Sequence, residues 1–355
     1  MRRNLKFEAI RTSLAILIAL AIALILIFSV SSQPLEALKE FLYGPIDSVR
    51  HFGNVIELAI PLTFTGLAIS IMFKAKQFNL GAEGGFFIGA IIAMIVAIQV
   101  TLPAGIHPTV AILLGGVAGA IVLCIPAILK VRWGATELVS SLMLNYIAFF
   151  IGMYLLNYHF RDPNAGAMYS YKFPKAANLM RLIPKTRVHF GLIIVIVMII
   201  LCYYFLYQTK WGYAIRVTGE NKRFAEYSGI NTAKIIILAQ VIGGFIAGMG
   251  GATEVLGMYK RFSWQASPGY GWDGVIVAIL ARNNPALVPI GALFLAYLRV
   301  GADQMARSTD VQSEVVAIIQ GVIIVLIVAD SFLSKYKHKL IYKEAKQNMS
   351  IKGAK

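Results

Sequence analysis

The side chains able to do acid–base or nucleophilic work in this chain do not assemble into a catalytic pattern. Its five histidines, His51, His107, His159, His189 and His338, sit at the edges of apolar runs or in polar stretches, with no spacing that pairs them. HExxH and GxSxG are absent, and so is any Gly-Lys dipeptide, which excludes a Walker-type phosphate loop and ATP hydrolysis by this polypeptide alone. What remains is a set of acids and amides inside apolar sequence: Asn79 and Glu83 in FNLGAEGGFFIG, Asn145 in 138–157, Glu254 in 233–256, and Asp273 in SPGYGWDGVIVAILARNNP. An ionised carboxylate deep in hydrocarbon costs roughly 2.5 kcal/mol or more, so each acid must meet water, a partner or a neighbouring helix.

Two readings stay open for each. Glu83 either caps a helix N terminus in the headgroup layer or, with Asn79, stands at a pathway or gate. Glu254 either lies at an outer interface near Lys260 and Arg261 or faces a buried partner. Phe86, Tyr146 and Trp272 are able to stack on a planar cargo, yet Tyr270 and Trp272 also fit an interfacial aromatic belt. The series Gly81, Gly85, Gly89, and Gly243, Gly244, Gly248, Gly250 and Gly251, read as stripes for close helix packing rather than ligand loops. The Gly-rich starts before Phe86 and Asp273 form a pair of interrupted segments, and unwound backbone is tolerated in a membrane only where it lines a cavity or is covered by protein.

The elements that position these groups are membrane helices. Of 355 residues 58% are hydrophobic and 14% charged, and apolar runs of about 20 residues recur along the chain. We expect an all-α polytopic membrane protein forming a single transmembrane domain, with helices near 12–30, 55–73, 85–102, 108–129, 137–157, 189–208, 233–256, 273–281, 285–299 and 314–330. The eighth and ninth are short; 273–281 rises only about 14 Å, half the hydrocarbon thickness, and the pair reads as half-helices around Asn283-Asn284-Pro285. Long loops are expected at 31–54 and 158–188, and a basic tail at 331–355. Cys124 and Cys202 lie in apolar runs and read as packing residues.

The net charge of +16 does not point to nucleic acid, because most Lys and Arg flank spans, where they orient the chain and meet anionic lipid. An N terminus inside the cell places 21 of the 33 basic residues on the cytoplasmic side. The loop 158–188 opposes that assignment with Arg161, Lys172, Lys175, Arg181, Lys185 and Arg187. The polar stretch WGYAIRVTGENKRFAEYSGIN, 211–231, falls on the cytoplasmic side. It reads as Ala214, Ile215 and Val217 leading to a Gly219-Glu220-Asn221 turn, then an amphipathic helix with Arg223, Phe224, Ala225, Tyr227 and Ser228, ended by Gly229 and presenting apolar knobs to a partner groove.

Five segments in order, FNLGAEGGFFIGA, ELVSSLMLNYIA, AIRVTGENKRFAEYSGIN, GGFIAGMGGATEVLG and GWDGVIVAILARNNP, resemble the membrane subunits of bacterial ATP-binding cassette importers, in the branch of ribose, branched-chain amino-acid and nucleoside permeases. The pattern is most similar to the longer of the two permease subunits of a nucleoside importer. The resemblance implies about ten helices of the ribose- and vitamin-importer type (type II), a second permease subunit, an ATPase with two nucleotide-binding domains, an external substrate-binding lipoprotein, and ATP with magnesium used by the ATPase while this chain binds no cofactor. It implies that Arg216, Gly219, Glu220, Asn221, Ala225, Tyr227 and Gly229 touch the ATPase, and that Asn79, Glu83, Phe86, Asn145, Glu254, Trp272 and Asp273 belong to the substrate pathway. Lys222-Arg223 departs from the less basic pair common in relatives. Rival readings are a small-sugar permease of the same fold and an ion-coupled secondary transporter with Glu83, Glu254 and Asp273 as coupling carboxylates.

Overall fold

A computed structural model describes residues 31–311 together with Ile25, Ile27, Phe28, Ser29, Ile318 and Gly321. The described residues fall into two compact units, 45–300 and, by itself, the flanking stretches 31–44 and 301–311. Among them the structure is helical, with two isolated bridges, Arg161 to Ser170 and Arg181 to His189, as the only extended pairing. The helices are α1 Pro34–Tyr43, α2 Val49–Lys74, α3 Ala82–Gln99, α4 Ile106–Trp133, α5 Glu137–Leu155, α6 Gly191–Gln208, α7 Lys210–Glu220, α8 Lys222–Tyr227, α9 Thr232–Met258, α10 Tyr270–Leu280 and α11 Val288–Ser308.

Six of these, α2 to α6 and α9, are long and apolar enough to cross a membrane, α5 being continued to Phe160 by a π-turn. Eight of the ten expected segments thus have a helix, while nearly all of the expected spans at 12–30 and 314–330, and the whole tail at 331–355, lie outside the described residues. Two expectations need correction. The expected loop at 31–54 contains α1 and the first turn of α2, which Ser48 caps by accepting the His51 N–H at 3.2 Å. The ninth helix is not a half-helix: it runs 21 residues, and Arg299, Asp303 and Arg307 hid its second half from a hydropathy reading. Only α10, at 11 residues, is half-length.

Helices α3, α4 and α9 meet through glycine. A Cβ on Gly248 would fall inside the van der Waals shell of the Gly115 carbonyl oxygen, one on Gly119 inside that of Gly244, and one on Gly89 onto the Gly248 backbone. With no hydrophobic force between helices in lipid, this backbone-to-backbone approach supplies the dispersion contact that holds them. α2 and α9 are mostly buried by their neighbours, whereas α5 and α6 leave most of their apolar surface open.

At the end opposite α7 and α8, residues 161–190 form a cover stitched to the last turn of α9 and the stretch after it. Ser170 N–H donates to Phe262 O at 3.1 Å, Phe173 N–H to Lys260 O at 2.9 Å, and Leu179 N–H to Leu256 O at 3.0 Å. His189 is fully buried in this cover, its Nδ1 accepting the Gly191 N–H at 3.1 Å and its Nε2 without a partner. Burial pushes its imidazole down from 6.5 to about 4. In the flanking unit, Asp310 accepts from Ser31 Oγ at 2.6 Å and Ser32 N–H at 2.7 Å, and these bonds hold its carboxyl down to about 2.

Gly248→Val will force α9 away from α4 and cost about 3 kcal/mol, read as a lowered thermal unfolding midpoint in detergent. Because the folded His189 has the lower pKa, its stabilising contribution is complete above pH 6.5 and is lost as pH falls from 6.5 toward 4. On the order of 3 kcal/mol is at stake. Unfolding midpoints measured across that range will fall in the wild type and fall less in His189→Asn.

Candidate functional site

The backbone between α2 and α3 leaves helical geometry at Ala75, with Lys76 at a φ of 51°, and resumes it at Ala82. Its exposed N–H and C=O groups are collected by one face of α5. Glu137, Ser141 and Asn145 stand at i, i+4 and i+8, so they form a polar row on an otherwise apolar helix. Glu137 Oε1 accepts the Phe78 N–H at 3.1 Å, Ser141 Oγ accepts the Leu80 N–H at 3.1 Å, and Asn145 Oδ1 accepts the Gly84 N–H at 2.9 Å. Asn145 also donates through Nδ2 to Leu80 O at 3.0 Å. Asn79 turns inward, accepting the Gly81 N–H at 2.6 Å and donating to Gln240 Oε1 of α9 at 2.5 Å. Lys130 at the end of α4 pairs with Glu137 at 2.6 Å and fixes the row at that end.

Glu83 is buried and caps a helix, but not its own. Its Oε1 accepts the Gly269 N–H at 2.8 Å and the Ser267 hydroxyl, and its Oε2 accepts the Gly271 N–H at 2.5 Å. These are donors at the N terminus of the half-helix α10, where a carboxylate also meets the positive end of the helix dipole. Gly269 starts that helix at a φ of 82°, and a side chain on Gly271 would collide with the Glu83 backbone. The two interrupted segments therefore meet through one carboxylate. In the first turn of α10, Asp273 pairs with Arg299 of α11 at 2.6 Å. Phe86, one turn along α3, stacks on Trp264 at 5.9 Å between ring centroids and packs on Tyr270 at 5.3 Å. Glu254 is buried on the adjoining face of α9, beside Tyr270 of α10 and Glu57 of α2.

The structure thus gathers Asn79, Glu83, Phe86, Asn145, Glu254 and Asp273 around the start of α3 and the start of α10. Trp272 stands apart, 45% exposed and outside the aromatic cluster, and the ring that packs on Phe86 is Trp264. Glu137, Ser141, Trp264 and Arg299 were not singled out from sequence; the four-residue spacing in ELVSSLMLN was the available signal for the first two.

At the other end lies the polar element at 211–231. The expected turn at 219–221 is smaller than anticipated: Gly219 and Glu220 finish α7, and Asn221 alone turns the chain, its side chain capping α8 by accepting the Phe224 N–H at 3.1 Å. Gly219 lies against the Lys74 carbonyl so closely that any side chain there would displace α2, and Lys76 Nζ donates to Glu220 O at 3.5 Å. The Arg216 guanidinium sits 5.1 Å over the Tyr207 ring. Ala225 is buried, Gly229 ends the element at a φ of 80°, and Phe224 and Tyr227 project outward, Tyr227 being 92% exposed.

A bundle of membrane helices with a broken pair in its middle and exposed apolar knobs at one end defines a multi-pass transport subunit. A profile of the family described as "Branched-chain amino acid transport system / permease component" matches residues 52–328, and the chain belongs to that family. It is 30% identical over 334 residues to the glucose ABC transporter permease protein of Haloferax volcanii, covering 91% of this chain and 88% of that one. It is also 30% identical over 296 residues to the guanosine ABC transporter permease protein of Bacillus subtilis, covering 82% and 85%. The nucleoside ABC transporter permease protein of Lactococcus lactis matches at 27% over 324 residues, covering 88% and 89%. The chain is a permease subunit of an ABC importer, and membership implies an ATPase and a substrate-binding partner.

Glu83→Ala will orphan the Gly269 and Gly271 N–H groups and cost about 3 kcal/mol, whereas Glu83→Gln, which keeps one acceptor, will cost about half as much. Asn145→Leu, which strands Leu80 O and Gly84 N–H, will cost about 2 kcal/mol. Thermal unfolding in detergent, followed by size-exclusion fluorescence, will order the three variants.

Proposed function

We propose that this chain is the membrane-spanning permease of an ATP-driven importer of nucleosides in the bacterial plasma membrane, with both termini cytoplasmic. The observation that carries the mechanism is a continuous set of contacts. Exposed α8 is joined through Asn221 to α7, Gly219 and Glu220 of α7 bear on Lys74 and Lys76, the broken segment 77–81 follows directly, and Glu83 then grips the N terminus of α10. In our reading an ATPase with two nucleotide-binding domains, using ATP and magnesium, engages Phe224 and Tyr227. Arg216, Gly219, Glu220, Asn221, Ala225 and Gly229 shape that contact. Closure of the ATPase pushes on Lys74 to Gln77 and shifts the start of α3 with α10, which alternates access to the pathway.

The pathway in this proposal runs past Asn79, Glu83, Phe86, Asn145, Glu254, Trp272 and Asp273. Asn79, Glu83 and Asn145 act there by holding structure in place rather than by touching cargo, since their polar atoms are taken up by backbone and, for the Asn79 amide nitrogen, by the Gln240 side chain. A second permease subunit completes the pathway and an external lipoprotein delivers the cargo. Nucleoside as cargo is supported by the guanosine and nucleoside permeases among the relatives, and the glucose permease, at equal identity to the guanosine one, supports a sugar as the second reading.

The assembled importer in liposomes will accumulate labelled guanosine or adenosine in competition with each other and not with glucose or ribose; the reverse preference selects the sugar reading. Tyr227→Ala with Glu220→Ala will lower substrate-stimulated ATP hydrolysis about tenfold or more without loss of the purified permease. Normal hydrolysis in that double variant would place the ATPase contact elsewhere.

A further inference from the structure

At the end opposite α8, a crevice of about 700 Å³ opens between the outer turns of α4 and α6 and the cover segment around Lys175 to Met180. Its walls include Pro108, Ile112 and Leu113 of α4, Ile194 of α6, and Met249 of α9, with Thr109 and Asn178 as uncharged polar members, so the interior is mainly apolar. Among the described residues nothing covers the large apolar side chains at its mouth: Leu113 is 47% exposed, Phe190 41% and Met180 71%. Its two flanking helices are long and apolar enough to cross a membrane and leave most of their surface open, so in a bilayer a mouth between them would face lipid. Water in such a crevice would find few hydrogen-bonding partners.

The polar rim is one-sided. Lys175 lines the crevice with no ion-pair partner among the described residues, and no acid lines it. The segment 158–188 that supplies Lys175 carries six Lys and Arg, and its one acid, Asp162, is engaged by Arg261 at 3.5 Å. This surplus runs against the charge pattern expected of an outward loop, and the permease mechanism makes no use of it.

We propose that the crevice is a binding site for an anionic phospholipid of the adjacent leaflet, with an acyl chain between α4 and α6 and the headgroup phosphate on Lys175. An acyl chain satisfies the apolar walls and open side, and a phosphate satisfies an unpaired ammonium at the depth where headgroups lie. The bound lipid braces the cover segment against the outer ends of α4 and α6, on the face away from the ATPase contact.

The test places the full-length chain in nanodiscs of equimolar dioleoylphosphatidylglycerol and dioleoylphosphatidylcholine, releases it, and counts retained lipid by native mass spectrometry. The wild type will retain phosphatidylglycerol over phosphatidylcholine. Lys175→Ala will reduce that preference about fivefold, the share of one lysine at an anionic surface. Ala104→Trp and Met180→Trp, exposed positions at the mouth where a larger ring does not disturb the fold, will each reduce retention of both lipids. Equal retention in wild type and both tryptophan variants would overturn the site. So would a Lys175→Ala variant that keeps its phosphatidylglycerol preference but loses affinity for the substrate-binding protein, because the charge would then serve a protein contact.

Discussion

A polypeptide that leaves the helix inside a membrane must find a partner for every N–H and C=O it frees, because hydrocarbon supplies none. Among the described residues the chain leaves the helix at 75–81 and 259–269, and at each break side chains from another part of the sequence take up freed N–H groups alongside backbone partners. The α5 row of Glu137, Ser141 and Asn145 serves the first break. Glu83, which that first break positions, serves the second. The second irregularity therefore depends on the first. A carboxylate receiving backbone N–H groups at a helix start is in its most favourable setting within a low-dielectric interior, which explains how a buried acid is tolerated at this depth.

The glycine-mediated contacts of α3, α4 and α9 do the opposite work. They hold part of α3 closely against its neighbours, and in the proposed mechanism this concentrates displacement at 77–83 on the start of α3 and on α10. At the other extremity of the proposed path, the absence of a side chain at Gly219 lets α7 lie directly on the end of α2, a backbone contact that in the proposed mechanism carries displacement with little slack.

Spans α2 to α6 and α9 were legible because runs of about 20 apolar residues have few alternatives. α11 was cut short because Arg299, whose charge meets Asp273, looks like the end of an apolar run when read locally. The interrupted segments were legible from their glycines, but their meeting was not. Glu83 and Gly269 are 186 residues apart, and no local pattern encodes that pairing. Trp272 and Trp264 illustrate the same limit: both flank the same Gly-rich turn, and only the tertiary fold decides which one packs on Phe86. Glu137, Ser141 and Asn145 were within reach of a sequence reading, since a four-residue polar repeat on an apolar helix has a direct physical meaning.

Amide hydrogen exchange over 265–275 in the membrane-reconstituted full chain tests the central interaction most directly, comparing the wild type with Glu83→Ala. If Glu83 holds the start of α10, the Gly269 and Gly271 amides exchange slowly in the wild type and at least tenfold faster in the variant, while the glycine-packed middle of α9 is unchanged. Equal exchange at 265–275 in the two proteins would contradict the account, because the half-helix would then be secured by something other than the Glu83 carboxylate.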